Sequence, residues 1–227
     1  MSSSVSPLRQ IYAAVQYHRP ADMVMGDVVS LLRSLASDDL HQSKQEMVTQ
    51  QHPLGFFVCK WSLGEGQTLR LHFWSKDFQW AQEPGWEIHD HVFSFTSLVM
   101  LGSLRSRTFE ISDSPIAAPR HAVYEVSYTD KDSAMVRSHS GVSLCLKTNT
   151  VEQAGTSYAM SAGVLHCSEL ISDMALTILA AKDETADFAA PRVVSEHQMD
   201  KVTFNRAPSA ELNVSGLFLR FADELDG

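Results

Sequence analysis

The sequence predicts an all-β fold, a barrel or sandwich of short strands carrying a cap of N-terminal helices. Two observations lead there. From Gly55 to about Lys182 the chain is a succession of short runs rich in β-branched and aromatic residues, punctuated by turn residues. Helical periodicity is confined to the first fifty residues, and no alternation of strands with helices follows it. No repeat of fixed period and no glycine-rich phosphate loop argues for another architecture.

Ser6-Pro7 can cap a first helix, with proline at its first position ahead of LRQIYAAVQYH. In MVMGDVVSLLRSLA the apolar positions Val28, Leu31, Leu32 and Leu35 recur at helical spacing. A polar stretch from Ser37-Asp38 through KQEM reads as a third, shorter helix. GFFVCKWSL and TLRLHFWSK then form a hairpin around Gly64-Glu65-Gly66. Further strands are read from WEIHDHVFSF, SLVMLGSLRSRTFEI, AVYEVSYT, AMVRSH, GVSLCLKT, TSYAMS, VLHCSELI and MALTILAA. After Lys182 the chain turns irregular, and SGLFLRFADEL ends it as a strand or a docked helix. This gives a helical segment at 1–50 packing on the barrel, a barrel at 51–185 and a C-terminal extension at 186–227.

The 227 residues suit one domain of ordinary size, and 44% hydrophobic residues are enough for a buried core. A net charge of −9 without long runs of one sign excludes the clustered cations that nucleic acid or an acidic membrane demands. Cys59, Cys145 and Cys167 are too few and too scattered for a disulfide scaffold or a zinc ribbon. No apolar run suits a signal peptide or a membrane span. A cytoplasmic location with reduced thiols is the expectation.

Ten histidines are present. His18, His41, His52, His121, His139 and His197 read as surface or hydrogen-bonded structural residues. His89 and His91 differ, because side chains two apart leave the same face of a strand. Their Cα atoms are then about 6.6 Å apart, and both rings can tilt onto one ion at metal–nitrogen distances of about 2.1 Å. A third imidazole, His166, opens a strand after GTSYAMSAGV, where Gly155 and Gly163 read as turn residues with positive φ. Asp90, between the paired histidines, points away from them as a hydrogen-bond acceptor. Cys167 points opposite to His166 and reads as a small core residue.

PGWEIHDHVFSFTSLVMLG resembles the first motif of the cupin family, and GTSYAMSAGVLH is similar to the second, with Ser161 where proline is usual. The resemblance implies a double-stranded β-helix, a jelly-roll barrel with a metal in its mouth, held here by His89, His91 and His166. Within cupins, Ile88-His89-Asp90-His91, Met100-Leu101-Gly102-Ser103-Leu104 and Gly163-Val164-Leu165-His166 look like cysteine dioxygenase and related thiol dioxygenases. Iron(II) is what that resemblance implies, with zinc or nickel able to occupy the site in purified protein. Most metallo-cupins also place a glutamate shortly after the histidine pair, where this chain has Phe95 and Thr96. Three neutral imidazoles leave an ion with its full charge and open positions, which favours an anionic ligand and admits O₂.

Two departures bear on the substrate. Lys60 falls at or near the place of the arginine that holds a substrate carboxylate in that group, with Arg70 on the partner strand as the other candidate. Thr177 and Leu179 fall near the places of its histidine and tyrosine, and Thr96 falls where some members cross-link a cysteine. Tyr128 and Tyr158 read as packing or surface residues, with a reach into the cavity from other strands as the alternative. His72 and Trp74 share one face of their strand, so the expected substrate-binding set is Lys60, Arg70, His72, Trp74 and Thr96. The function expected is a mononuclear non-haem iron dioxygenase acting with O₂ on a small anionic substrate, a thiol other than cysteine. The alternative is a cupin that binds a metal or small ligand without turnover. A zinc or nickel isomerase or hydrolase would need a general base, for which Glu169 is the candidate. Monomer and homodimer both fit.

Overall fold

The computed structural model describes residues 6–37, 47–78, 84–112, 121–129, 132–184, 188, 190–206 and 212–227. Its elements in chain order are α1 (Pro7–Gln16), α2 (Asp22–Ser37), β1 (Met47–Gln51), β2 (Phe57–Gly64), β3 (Gln67–Ser75), β4 (Ile88–His89), β5 (Phe93–Leu101) and β6 (Ser103–Ser112). There follow β7 (His121–Tyr128), β8 (Asp132–Gln153), β9 (Ser157–Met160), β10 (Leu165–Leu170), β11 (Met174–Asp183), β12 (Arg192–Ser195), β13 (Lys201–Asn205) and α3 (Val214–Asp226). The expected third helix falls on residues 38–46, outside the described residues, and the final segment resolves as a helix rather than a strand.

The strands form two antiparallel sheets, ordered β1-β2-β3-β11-β5-β9 and β13-β8-β6-β10-β4-β12-β7. The eight barrel strands are β3, β4, β5, β6, β8, β9, β10 and β11. Numbered one to eight, they lie as 1-8-3-6 in the first sheet and 5-4-7-2 in the second. That is the order of a jelly roll, and the fold is the all-β double-stranded β-helix with a helical cap that the sequence predicts.

The first sheet is covered on both faces. Phe57, Cys59 and Trp61 of β2, Leu69, Leu71 and Phe73 of β3, and Leu176, Ile178 and Ala180 of β11 join one core with the buried faces of α1, α2 and α3. Phe73 meets Phe221 edge-on at 5.1 Å and Phe218 at 5.6 Å. The alternate residues of the same strands face the barrel interior. This double burial explains why MALTILAA reads as a continuous apolar run instead of alternating.

Three local readings change. WEIHDHVFSF is not one strand: the chain leaves the second sheet after His89 and enters the first at Phe93. AMVRSH and GVSLCLKT are one 22-residue strand, because β8 pairs first with β7 and then with β6. Residues 186–227 are no mere extension, since β12 pairs with both β4 and β7 and β13 pairs with β8. Gly102 makes the step from β5 to β6 possible. It sits at φ +71°, and a Cβ there would lie 2.0 Å from the Met174 carbonyl oxygen, which only glycine avoids.

Candidate metal centre and substrate cavity

His89 and His166 face each other as direct partners across β4 and β10, and His91 follows two residues after His89 in the crossing between sheets. Their ring centroids are 4.6 Å (His89–His166), 4.8 Å (His89–His91) and 5.1 Å (His91–His166) apart. One ring nitrogen from each lies within 4.8 Å of the others. Small ring rotations bring three such nitrogens onto one ion at about 2.1 Å.

The imidazoles are prepared for that task. Nδ1 of His89 lies 2.8 Å from the Glu87 carbonyl oxygen, and Nδ1 of His166 lies 3.0 Å from that of Val164. A carbonyl only accepts, so Nδ1 carries the proton in both rings and Nε2 presents a lone pair. Burial holds all three below the usual histidine range, His166 at about 3, which keeps them neutral as metal ligands must be. No carboxylate joins the cluster among the described residues. Three fixed neutral nitrogen donors fit a divalent transition metal and leave its other positions free.

Asp90 fastens this site from behind. Its carboxylate is buried and accepts from the Arg192 backbone N–H and from Arg192 Nε at 2.7 Å. Arg192 Nη2 also donates to the Gly163 carbonyl at 3.2 Å, while Gly163 N–H donates to the His91 carbonyl at 2.9 Å. One arginine from β12 thereby ties both histidine-bearing segments together. Gly163 has φ +74°, and a Cβ there would strike the Phe188 ring at 2.5 Å.

The three histidines open into a cavity of about 530 Å³. Lys60, Arg70, His72 and Trp74 line it. Thr96 does not. Phe93 and Phe95 point inward on β5, so Thr96 alternates to the other face, the side on which Leu98 and Met100 pack against the helices. Thr177 and Leu179 also line the cavity, as do Tyr128 and Tyr158, which takes the alternative left open for these two tyrosines over packing or surface. Glu169 points outward between Arg105 and Arg107, both at 3.4 Å, so it is no base for this site.

His52 and Arg206 are among the lining residues that the sequence did not single out. His52 stacks on Phe56 at 4.2 Å, with its ring 6.1 Å from that of His89. Burial, followed by Arg206 and then the neighbouring histidines, holds it well below the usual range. Arg206 follows β13 and reaches the cavity from the segment read as irregular. Neither carries a local signal: His52 looks like any histidine before a turn, and only the pairing of β13 with β8 brings Arg206 home. Phe56 in turn stacks on Trp74 at 4.0 Å and meets His72 at 5.0 Å, which makes this wall aromatic.

No protein-family model matches the sequence, and no curated protein matches it. Solved structures overlap in part. Oxalate decarboxylase from Bacillus subtilis aligns with TM-score 0.37 and 13% identity over 63% of this chain and 29% of that one. An oxalate oxidase aligns at 0.35 and 15%, over 59% and 53%. Drosophila melanogaster CENP-C bound to CAL1 aligns at 0.38 and 11%, over 71% and 98%. The chain thus spans under a third of the matched decarboxylase, and its site is read from its own residues.

Proposed function

We propose that this chain is a metal-binding cupin that works as a mononuclear non-haem iron dioxygenase on a small anionic substrate, a thiol bulkier or more apolar than cysteine. The observation that carries the reading is a carboxylate-free set of three neutral imidazoles at the mouth of a cavity walled by cations and aromatic rings. His89, His91 and His166 would hold the ion. Iron(II) there would supply the redox chemistry by which O₂ reacts with a thiol.

The rest of the work belongs to the chain. The two backbone carbonyls fix the ring tautomers, and the Asp90–Arg192 pair fixes the segments that carry the rings. Leu179, Phe95 and Phe93 keep that end of the cavity apolar and limit water. Lys60 and Arg70 orient the anionic end of the substrate. Lys60 offers a point charge, whereas Arg70 offers a fork of parallel donors. Asp183 is the one carboxylate among the described lining residues, and it belongs with the cations. That disfavours a hydrolase or isomerase needing a base beside the ion. The cytoplasm, where thiols stay reduced, suits both this substrate and the free Cys59, Cys145 and Cys167.

A second reading keeps the site and removes turnover. Leu179 favours it, because an apolar side chain stands where a proton donor would assist oxygen chemistry. One experiment separates the two. Protein reconstituted anaerobically with iron(II) is mixed with a panel of small thiols while O₂ is followed. Uptake with at least one thiol, abolished in His166→Ala, is expected. A loaded protein that consumes no O₂ with any thiol, catechol or diketone overturns the dioxygenase and leaves the binding protein standing.

A further inference from the structure

The cavity wall formed by β2 and β3, beside Leu179 and Phe93, carries more positive charge than a single carboxylate can neutralise. Lys60 and Arg70 are direct partners across β2 and β3, so both side chains leave the same face of the sheet. Like charges in that position destabilise a strand pair. Arg206 joins them from the second sheet's end, its main-chain oxygen accepting from Gln51 N–H at 3.2 Å and its Nη2 donating to Gln50 at 3.0 Å. Asp183 is the single carboxylate lining this region, and none of the three cations forms an ion pair among the described residues. Burial pulls Arg70 down to about 10, and Lys60 is lowered by burial and then by Arg70 and Arg206. Arg206 Nε and Trp74 Nε1 are both buried with no partner among the described residues. Such donors are costly unless a ligand meets them.

We propose that Lys60, Arg70 and Arg206 form a subsite for a doubly charged oxyanion, a phosphate ester or a pair of adjacent carboxylates carried by the substrate. Three cations against Asp183 leave two charges to balance, and a phosphate monoester carries close to two at neutral pH. Arg70 and Arg206 supply fork-shaped donor sets and Lys60 a third point of attachment. The subsite is adjacent to the metal centre without being part of it. Phe93 stacks on His91 at 4.4 Å and holds the Arg70 guanidinium 3.9 Å from its ring centre. Arg70 also precedes His72 by two residues on the same face of β3, about 7 Å along the strand. A charged group held by Arg70 would therefore be about one aromatic ring away from the His91 imidazole, and the remainder of the ligand would reach the three histidines. This inference rests on the cavity being the substrate site and deepens the proposed function by naming the charge its substrate carries.

The test is thermal stability of chelator-treated protein titrated with inorganic phosphate, malonate and acetate at matched ionic strength. Phosphate or malonate should raise Tm in a saturable way with acetate far weaker, and whichever of the two binds more tightly identifies the source of the charge. Lys60→Met and Arg206→Gln should each weaken that binding about tenfold or more. Without anion, Lys60→Met should match or exceed the parent's Tm, since it relieves the repulsion from Arg70, which distinguishes a lost ligand from a damaged fold. His166→Ala should bind the anion as the parent does while losing zinc in a chelator competition. Equal effects of acetate and phosphate, or unchanged binding in both cation variants, overturn the subsite. Zinc binding that survives such a result leaves the metal centre intact, whereas its loss with anion binding retained overturns only the dioxygenase.

Discussion

His72 shows at the scale of one residue how burial sets chemistry. It lies on the inward face of β3, and burial first, then Arg70 and His89, brings it to about 3. An unfolded histidine titrates near 6.5. The folded value is the lower one, so acid protonates the unfolded chain first. The stability this residue contributes is complete above about pH 6.5 and is lost as pH falls toward 3. Metal-free protein should accordingly lose stability across that range, and His72→Phe should flatten the decline. Denaturant midpoints measured at several pH values check this, and an acid limb as steep as the parent's would count against a neutral buried His72. The residue scale is also where the sequence speaks most plainly. His89, His91 and His166 were legible from spacing and turn residues. His52 was not, because nothing beside it distinguishes a cavity histidine from a surface one.

Among the elements, β12 has an effect out of proportion to its four residues. It fills the gap between β4 and β7, and its Arg192 joins Asp90 to the Gly163 carbonyl. The side chain grips the Asp90 carboxylate on one histidine-bearing segment and the Gly163 carbonyl on the other, so its loss should register at the metal site. Arg192→Met should weaken zinc or iron binding by about 10- to 100-fold, as loss of an outer support does elsewhere. It should also cost about 1–3 kcal/mol of stability, because Asp90 keeps a buried carboxylate with fewer donors. Chelator competition and denaturant unfolding measure the two separately, and an unchanged metal affinity would confine the arginine to folding. Glycine at the element ends is similarly restrictive: Gly102→Ala should destabilise by about 2 kcal/mol or more through strain at positive φ and a clash with main chain. The expected single strand through His91 failed because a jelly roll passes its strands from sheet to sheet. Local β propensity holds no record of that crossing.

For the whole molecule, the arrangement is three layers: helices, a doubly buried sheet, and a second sheet enclosing the cavity with it. The C-terminal helix is integral to the first layer, with Phe218 and Phe221 fully buried against Phe73. Phe221→Ala should cost about 3–5 kcal/mol. Truncation after residue 185, where the sequence places a boundary, should yield no soluble folded barrel, because β4 loses β12, one of its two partners, and α3 is stripped from the outer face of the first sheet. A monomeric truncated protein with a sharp thermal transition would contradict this.

Composition, turn residues and helical periodicity marked an all-β chain preceded by helices, and two histidine motifs, through their resemblance to cupins, marked the barrel type and three candidate ligands, since each of these is written in spacing along the chain. Only the tertiary structure decided that Thr96 turns away, that Glu169 lies outside, and that His52 and Arg206 complete the cavity. Those outcomes depend on strand register and on pairings between distant segments, where a one-residue shift exchanges inside for outside.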